Sequence, residues 1–249
     1  LKIKVINPNT TRSMTEKIGA AARAVAGPGT AILAVSPSMG PVSIEGHYDE
    51  AVSVLGVLDE VRRGEAEGCD GYVIACFGDP GLLAAREFAR GPVLGIAEAA
   101  MHVASMVASG FSIVTTLART VGIARHLVEA YGMTRHCRGV RATDLAVLDL
   151  ERPDSSASAA ILEECRRAVR EDRADAIVLG CAGMADLAKR IEDALGVPVV
   201  DGVAAGVKLV EALVTLGLRT SKAADLAFPL PKAYAGLVAP FAPPGPKVR

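Results

Sequence analysis

The chain has 249 residues, 51% hydrophobic, 22% charged and only 4% aromatic, with no Trp. That gives room for one large α/β domain or two smaller ones, and it excludes disordered and collagen-like classes. A formal charge of −1 leaves no basic field to collect phosphates and few rings to stack bases, so nucleic acid is excluded as a partner.

Short apolar runs alternate with amphipathic stretches, as expected when parallel strands are buried on both faces by crossover helices. Residues 1–8 hold an apolar stretch too short for a signal-peptide core and read as a first strand at 3–6, although the chain does not open on Met and processing stays open. A helix over 13–25 and a strand at 31–35 follow. Residues 36–47, with Pro37, Gly40, Pro41 and Gly46, form a loop expected to wall a pocket. A helix over 50–63, a strand over 71–75, a helix over 80–90 and a strand at 93–95 come next.

Residues 99–118 carry no Asp, Glu, Lys or Arg, but His102, five Ser/Thr residues and Gly110 interrupt them. They read as part of a buried helix over 98–108, a turn at Ser109-Gly110 and a strand at 112–115, and no membrane partner is expected. Further on, helices are predicted over 119–131, 157–171, 185–195 and 203–216, and strands at 146–148, 176–180 and 197–200. Four prolines between 240 and 249 predict an extended or disordered tail.

An internal repeat organises these elements. Cys69-Asp70-Gly71-Tyr72-Val73-Ile74-Ala75-Cys76 lies over Ala174-Asp175-Ala176-Ile177-Val178-Leu179-Gly180-Cys181, and Leu82 and Leu187 continue the match. Asn9 precedes Cys76 by 67 residues and Thr115 precedes Cys181 by 66. The expected fold is α/β, with two similar lobes, each a parallel sheet flanked by helices, related by a pseudo-twofold with the active site between them. The expected division is 1–98 plus 203–235 for the N-terminal lobe with a returning C-terminal helix, 99–202 for the C-terminal lobe, and 236–249 for a Pro-rich tail.

Five cysteines, Cys69, Cys76, Cys137, Cys165 and Cys181, are an odd number without CxxC spacing, which suits a reducing cytoplasm. Cys76 and Cys181 each end a buried strand ahead of a turn and a helix start, where open parallel sheets bind ligands. Asp79 suits a cap and Pro80 the first helical position. A pseudo-twofold sets the two thiols across one cleft. Two thiols on opposite faces of a carbon acid form a two-base racemase, one removing the proton as thiolate and the other returning one, with the thiol pKa lowered at a helix N-terminus. Backbone N–H groups at the same helix starts can hold the enolate oxygen. Cys69, Cys137 and Cys165 lack this placement and read as small buried hydrophobes.

Asn7-Pro8-Asn9-Thr10-Thr11, Gly40-Pro41-Val42-Ser43-Ile44-Glu45-Gly46, Ala75-Cys76-Phe77-Gly78-Asp79-Pro80-Gly81, Gly95-Ile96-Ala97-Glu98-Ala99 and Leu179-Gly180-Cys181-Ala182-Gly183-Met184 together resemble hydantoin racemases of the aspartate/glutamate racemase superfamily, from about residue 2 to about residue 235. The resemblance implies cofactor-independent racemisation with one Cys from each lobe, Cys76 acting on the D-face proton and Cys181 on the L-face proton, and a homo-oligomer. Amino-acid racemases of the superfamily follow their cysteines with residues that pair the substrate's charges. Here the followers are Phe77-Gly78 and Ala182-Gly183, which suit a neutral ring held by backbone amides. Related arylmalonate decarboxylases keep only the second Cys, whereas both are present here.

The remaining site candidates carry alternatives. Asn9 bonds a ring carbonyl or N–H, or forms an Asx turn after Pro8. Thr115 and Thr116 hold the ligand or cap the next helix. Ser43 and Ile44 are expected beside the ring, and Phe77, Gly78, Ala182 and Gly183 to offer backbone N–H groups. Glu45, Asp79 and Glu98 read as structural, and His47, His102, His126 and His136 show no metal spacing.

The expected function is racemisation of 5-monosubstituted hydantoins at C5, with allantoin racemisation the alternative. The apolar Pro37, Met39, Val42 and Ile44 favour side chains of the amino-acid type. A two-lobed binding protein without turnover is the reading from another class, and Cys→Ser changes separate it from a racemase.

Overall fold

Eight strands form two four-stranded sheets, each parallel throughout, in the computed structural model, which describes residues 1–151 and 156–243. The first sheet holds β1 (Lys2–Ile6), β2 (Ala31–Val35), β3 (Gly71–Ile74) and β4 (Val93–Gly95) in the order β2-β1-β3-β4. The second holds β5 (Phe111–Thr115), β6 (Cys137–Ala142), β7 (Ala176–Leu179) and β8 (Val199–Val200) in the order β6-β5-β7-β8. The two orders are identical once β5 is matched to β1. The internal repeat is therefore a match of β3 with β7.

Registers agree as well: Ile3 and Ile6 face Gly71 and Ile74, while Phe111 and Val114 face Ala176 and Leu179. β3 and β7 each have a strand on both sides and are buried at every residue. Their continuous apolar runs follow from that placement.

The helices are α1 (Arg12–Val25), α2 (His47–Ala66), α3 (Leu82–Phe88), α4 (Ile96–Val107), α5 (Val121–Ala130), α6 (Ala157–Glu171), α7 (Ala188–Leu195) and α8 (Gly202–Thr215). α4 packs on α8, on β4 of the first sheet and on β7 and β8 of the second. After β8 the chain returns to the first sheet. Asp201 caps α8, accepting from the Val203 and Ala204 N–H groups at 3.1 and 2.9 Å. Gly206, lacking a side chain, lets α8 lie directly on Val73. One charge is buried in β1: Lys4 is 1% exposed and bridges to Glu60 and Glu67 at 3.0 and 3.2 Å.

Two expectations need correction. The strand predicted at 146–148 does not exist. Residues Val147–Glu151 form a 3₁₀ turn, and the strand beside β5 is β6. β6 is an edge strand in which Arg138 is exposed and the other residues, Gly139 and Arg141 among them, are half-buried, so it lacks the apolar run of a buried strand. Residues Gly236–Phe241 of the Pro-rich tail, the last two of them in the stretch expected to be extended or disordered, form a 3₁₀ turn on α2. There Arg62 donates to the Pro240 carbonyl at 3.1 Å and lies 5.8 Å from the Phe241 ring centre. Residues 244–249 lie outside the described residues. Among those described, no helix is long and apolar enough to cross a membrane.

Candidate active site

Two residues past the end of β3 stands Cys76, and two residues past the end of β7 stands Cys181. Both line one cavity of about 60 Å³. One water needs roughly 10–15 Å³ measured in this way, so the space suits a small ring. The matched strand ends bring the two thiols to the same cavity from different sheets.

The Cys76 turn is tight. The Asp79 N–H donates to the Cys76 carbonyl at 3.0 Å, and Asp79 and Gly81 have φ of 45° and 72°. Burial pushes the Cys76 thiol well above its ordinary range. The Gly78 N–H donates to its sulfur and opposes this, while the charges of Glu50, Cys181 and Asp79 push it further up. A helix N-terminus lowering this thiol is therefore not what the structure shows, since α3 begins only at Leu82. After Cys181 the chain enters a 3₁₀ turn, Ala182–Leu187, before α7 begins at Ala188.

Asp79 is not the cap of α3, which has Gly81 at that place. Its carboxylate instead accepts from the Ala97 and Glu98 N–H groups at 3.0 and 2.9 Å, closing the start of α4, and from the Tyr131 hydroxyl at 2.8 Å. Burial raises its pKa to about 7 against these three donors. Pro80, expected to open the helix, falls in the turn before it.

Asn9, Ile44, Phe77, Gly78, Thr115, Thr116 and Ala182 line the cavity; Ser43 and Gly183 do not. Ser43 instead donates to Glu45 Oε1 at 3.3 Å, and Gly183 packs behind Cys181 against Leu150. Asn9 forms the Asx turn, its Oδ1 accepting from the Thr11 N–H at 2.9 Å, while its Nδ2 rests 3.2 Å from Met14 Sδ. Thr115 donates to the Gly180 carbonyl at 3.1 Å beside Cys181. Neither Thr115 nor Thr116 caps the next helix: α5 opens without a side-chain cap, and at the 3₁₀ turn before it Asp144 Oδ1 accepts from the Ala118 N–H at 2.9 Å. The Thr116 hydroxyl and the Phe77 and Ala182 N–H groups have no hydrogen-bond partner among the described residues. The Phe77 side chain enters the core with Ala97, Ala100 and Phe111.

Glu50 was not among the candidates, yet its side chain lines the cavity. Burial raises its pKa, opposed by His47 and His126. Within the acidic first turn of α2 it reads as an ordinary solvated carboxylate, and nothing local in sequence ties it to Cys76. From the loop at 36–47, Ile44 and Gly46 reach the cavity. Met39 and Val42 are 40% and 60% exposed, and Pro37 packs on Gly56. The apolar pocket wall expected from these residues thus shrinks to Ile44.

The other cysteines stay outside the cavity. Burial pushes Cys165 up to about 12 and Cys137 to about 11, and raises Cys69. Glu45 Oε1 accepts from the Val147 N–H at 3.2 Å, joining the loop to the second lobe, and Glu98 pairs with Arg86. His102 Nδ1 lies 2.8 Å from the Glu98 carbonyl. Among the described residues no group of three His, Cys, Asp or Glu is gathered to hold a metal ion.

Residues 3–210 match the family model described as Asp/Glu/Hydantoin racemase. The chain is 51% identical to a hydantoin racemase of Pseudomonas sp. (strain NS671), over 97% of each. Its structure resembles that of an allantoin racemase from Klebsiella pneumoniae, 60% identical, with a TM-score of 0.96 over 98% of this chain and 99% of the other. It also resembles an allantoin racemase from Pseudomonas fluorescens, 42% identical, with a TM-score of 0.91 over 95% and 100%.

Proposed function

The chain belongs to the Asp/Glu/hydantoin racemase family, in its hydantoin and allantoin branch, and from that premise we propose that it racemises allantoin at C5 by proton transfer between Cys76 and Cys181. The observation that carries this is the pair of thiols at matched strand ends on one small cavity.

In the proposed reaction the thiolate of one Cys takes the C5 proton, and the C–H electron pair moves into the ring, placing negative charge on the adjacent carbonyl oxygen. The thiol of the other Cys delivers its proton to the opposite face of C5. That leaves the two cysteines with exchanged protonation, ready for the reverse direction. No cofactor takes part. The unpartnered N–H groups of Phe77 and Ala182 suit the developing oxyanion, which needs donors already in place. With no cation lining the cavity among the described residues, a neutral ring fits better than a zwitterionic amino acid.

The substrate reading rests on likeness and on two polar side chains in a mainly apolar cavity. The 60% identity to an allantoin racemase exceeds the 51% to a hydantoin racemase. Glu50 and the Thr116 hydroxyl line the cavity as polar groups that an alkyl or benzyl substituent would leave unused. Racemisation of 5-monosubstituted hydantoins of the amino-acid type remains the second reading, supported by the 51% relative and by Ile44. Circular dichroism of (S)-allantoin and of L-5-benzylhydantoin with the reduced protein tests both. Faster loss of signal for allantoin supports the first reading. Turnover of the benzyl compound alone overturns it in favour of the second.

A further inference from the structure

Glu50, in the first turn of α2, is the one charged side chain lining the cavity among the described residues. Its carboxylate is 17% exposed, and its Oε2 lies 3.4 Å from Nδ1 of His47. Oε1 rests against the Cα of Gly78, beside Cys76, and accepts no hydrogen bond from the described residues. That oxygen is open to the cavity, where a donor on a bound ligand can reach it.

Racemisation adds a constraint. The ring carbonyl beside C5 becomes negative as the proton leaves, and a carboxylate facing that oxygen would repel it. Glu50 must therefore face N–H groups. Each ring N–H is a single donor, N3–H set between two carbonyl oxygens and N1–H beside one, so neither alone matches two carboxylate oxygens. A ureido group presents two parallel N–H donors, which a carboxylate accepts as a pair in the manner of a guanidinium.

We infer that Glu50 is a specificity-determining residue, its carboxylate accepting both N–H bonds of a ureido substituent on C5. The inference rests on the allantoin reading and deepens it. A site built to bond a substrate N–H rejects an analogue that lacks it, because the buried acceptor is then left unpaired. It also explains an acid in a cavity whose proposed chemistry uses only thiols and backbone amides.

The test compares allantoin with 5-isobutylhydantoin, whose substituent has the same number and branching of heavy atoms and no donor. Initial racemisation rates are measured for wild type, Glu50→Gln and Glu50→Leu, with folding checked by thermal melts. The expected result is a fall in kcat/KM for allantoin of roughly ten- to a hundred-fold in Glu50→Leu. The ratio of kcat/KM for allantoin to that for isobutylhydantoin falls by a similar factor, because any effect of the Glu50 charge on Cys76 is common to both substrates and cancels. Glu50→Gln, which keeps an acceptor oxygen, falls between. Wild-type protein that leaves allantoin untouched overturns the substrate reading, and this assignment with it. Wild-type protein that racemises allantoin while the variants lose both substrates equally, or neither, overturns the Glu50 assignment alone.

Discussion

The Tyr131 hydroxyl donates to Asp79 Oδ2 at 2.8 Å, tying the end of α5 to the turn that carries Cys76. Asp79 also receives the first N–H groups of α4, so one buried carboxylate joins three elements around the proposed catalytic thiol. Burial holds its pKa at about 7, above the ordinary 3.8. The folded protein therefore binds a proton that the unfolded chain releases between about pH 4 and 7, and stability falls as pH rises through that window, by about 2–4 kcal/mol in all.

Asp79→Asn removes that slope and sets an amide NH₂ against N–H donors. It should be less stable than wild type at pH 5 by about 1–3 kcal/mol, with the gap narrowing by pH 8. Urea unfolding at the two pH values measures this; a gap that widens with pH contradicts the assignment.

Cys76→Ser and Cys181→Ser should each lower racemisation by roughly 10²–10⁴-fold, the range for a lost general acid or base, since a hydroxyl is a poor base at neutral pH. Melting temperatures should change little, because neither substitution alters volume much. Racemisation at the wild-type rate in either variant would exclude the two-thiol mechanism.

Burial and the Glu50 charge both keep Cys76 protonated. The rate on 5-isobutylhydantoin should accordingly rise with pH above neutrality, as one thiol of the coupled pair ionises, and fall again once both have done so. Glu50→Gln removes a negative neighbour, stabilises the thiolate and moves the rising limb to lower pH. A limb that stays in place or moves up shows that Glu50 does not act on the thiol.

A methyl group on Gly78 would land on the Glu50 carboxylate. Gly78→Ala should displace that side chain and cost about 1–3 kcal/mol, as overpacking does, together with much of the allantoin activity. A variant with wild-type stability and kinetics would mean that the two residues are not in contact.

Glu45 links the loop at 36–46 to the Val147 N–H of the second lobe. Glu45→Ala frees that loop, so KM should rise several-fold with kcat changing less, as when binding contacts common to ground and transition states are lost. An unchanged KM would separate the loop from substrate binding.

Much of this architecture was legible because β3 and β7 are buried on both faces and so carry continuous apolar runs, each ending near a Cys. β6 was not, because an edge strand with Arg138, Gly139 and Arg141 needs no such run, while the apolar Leu145-Ala146-Val147-Leu148 belongs to a turn. The cysteine pair stood out through the repeat, an in-chain comparison. Asp79 looks like a local cap because sequence shows near neighbours and not Ala97, Glu98 or Tyr131, its actual partners. Glu50 escaped for the same reason: only folding brings α2 against Gly78.

In the proposed mechanism two thiols exchange protons across C5. Racemisation of (S)-allantoin in deuterated water, stopped at low conversion and resolved by chiral chromatography with mass detection, tests it most directly. Two-thiol exchange places deuterium at C5 of the (R) product and leaves protium in the recovered (S) substrate, above the enzyme-free background. Deuterium appearing equally fast in recovered substrate and product would point to a single base, and inversion without deuterium would rule out exchange with solvent-equilibrated thiols.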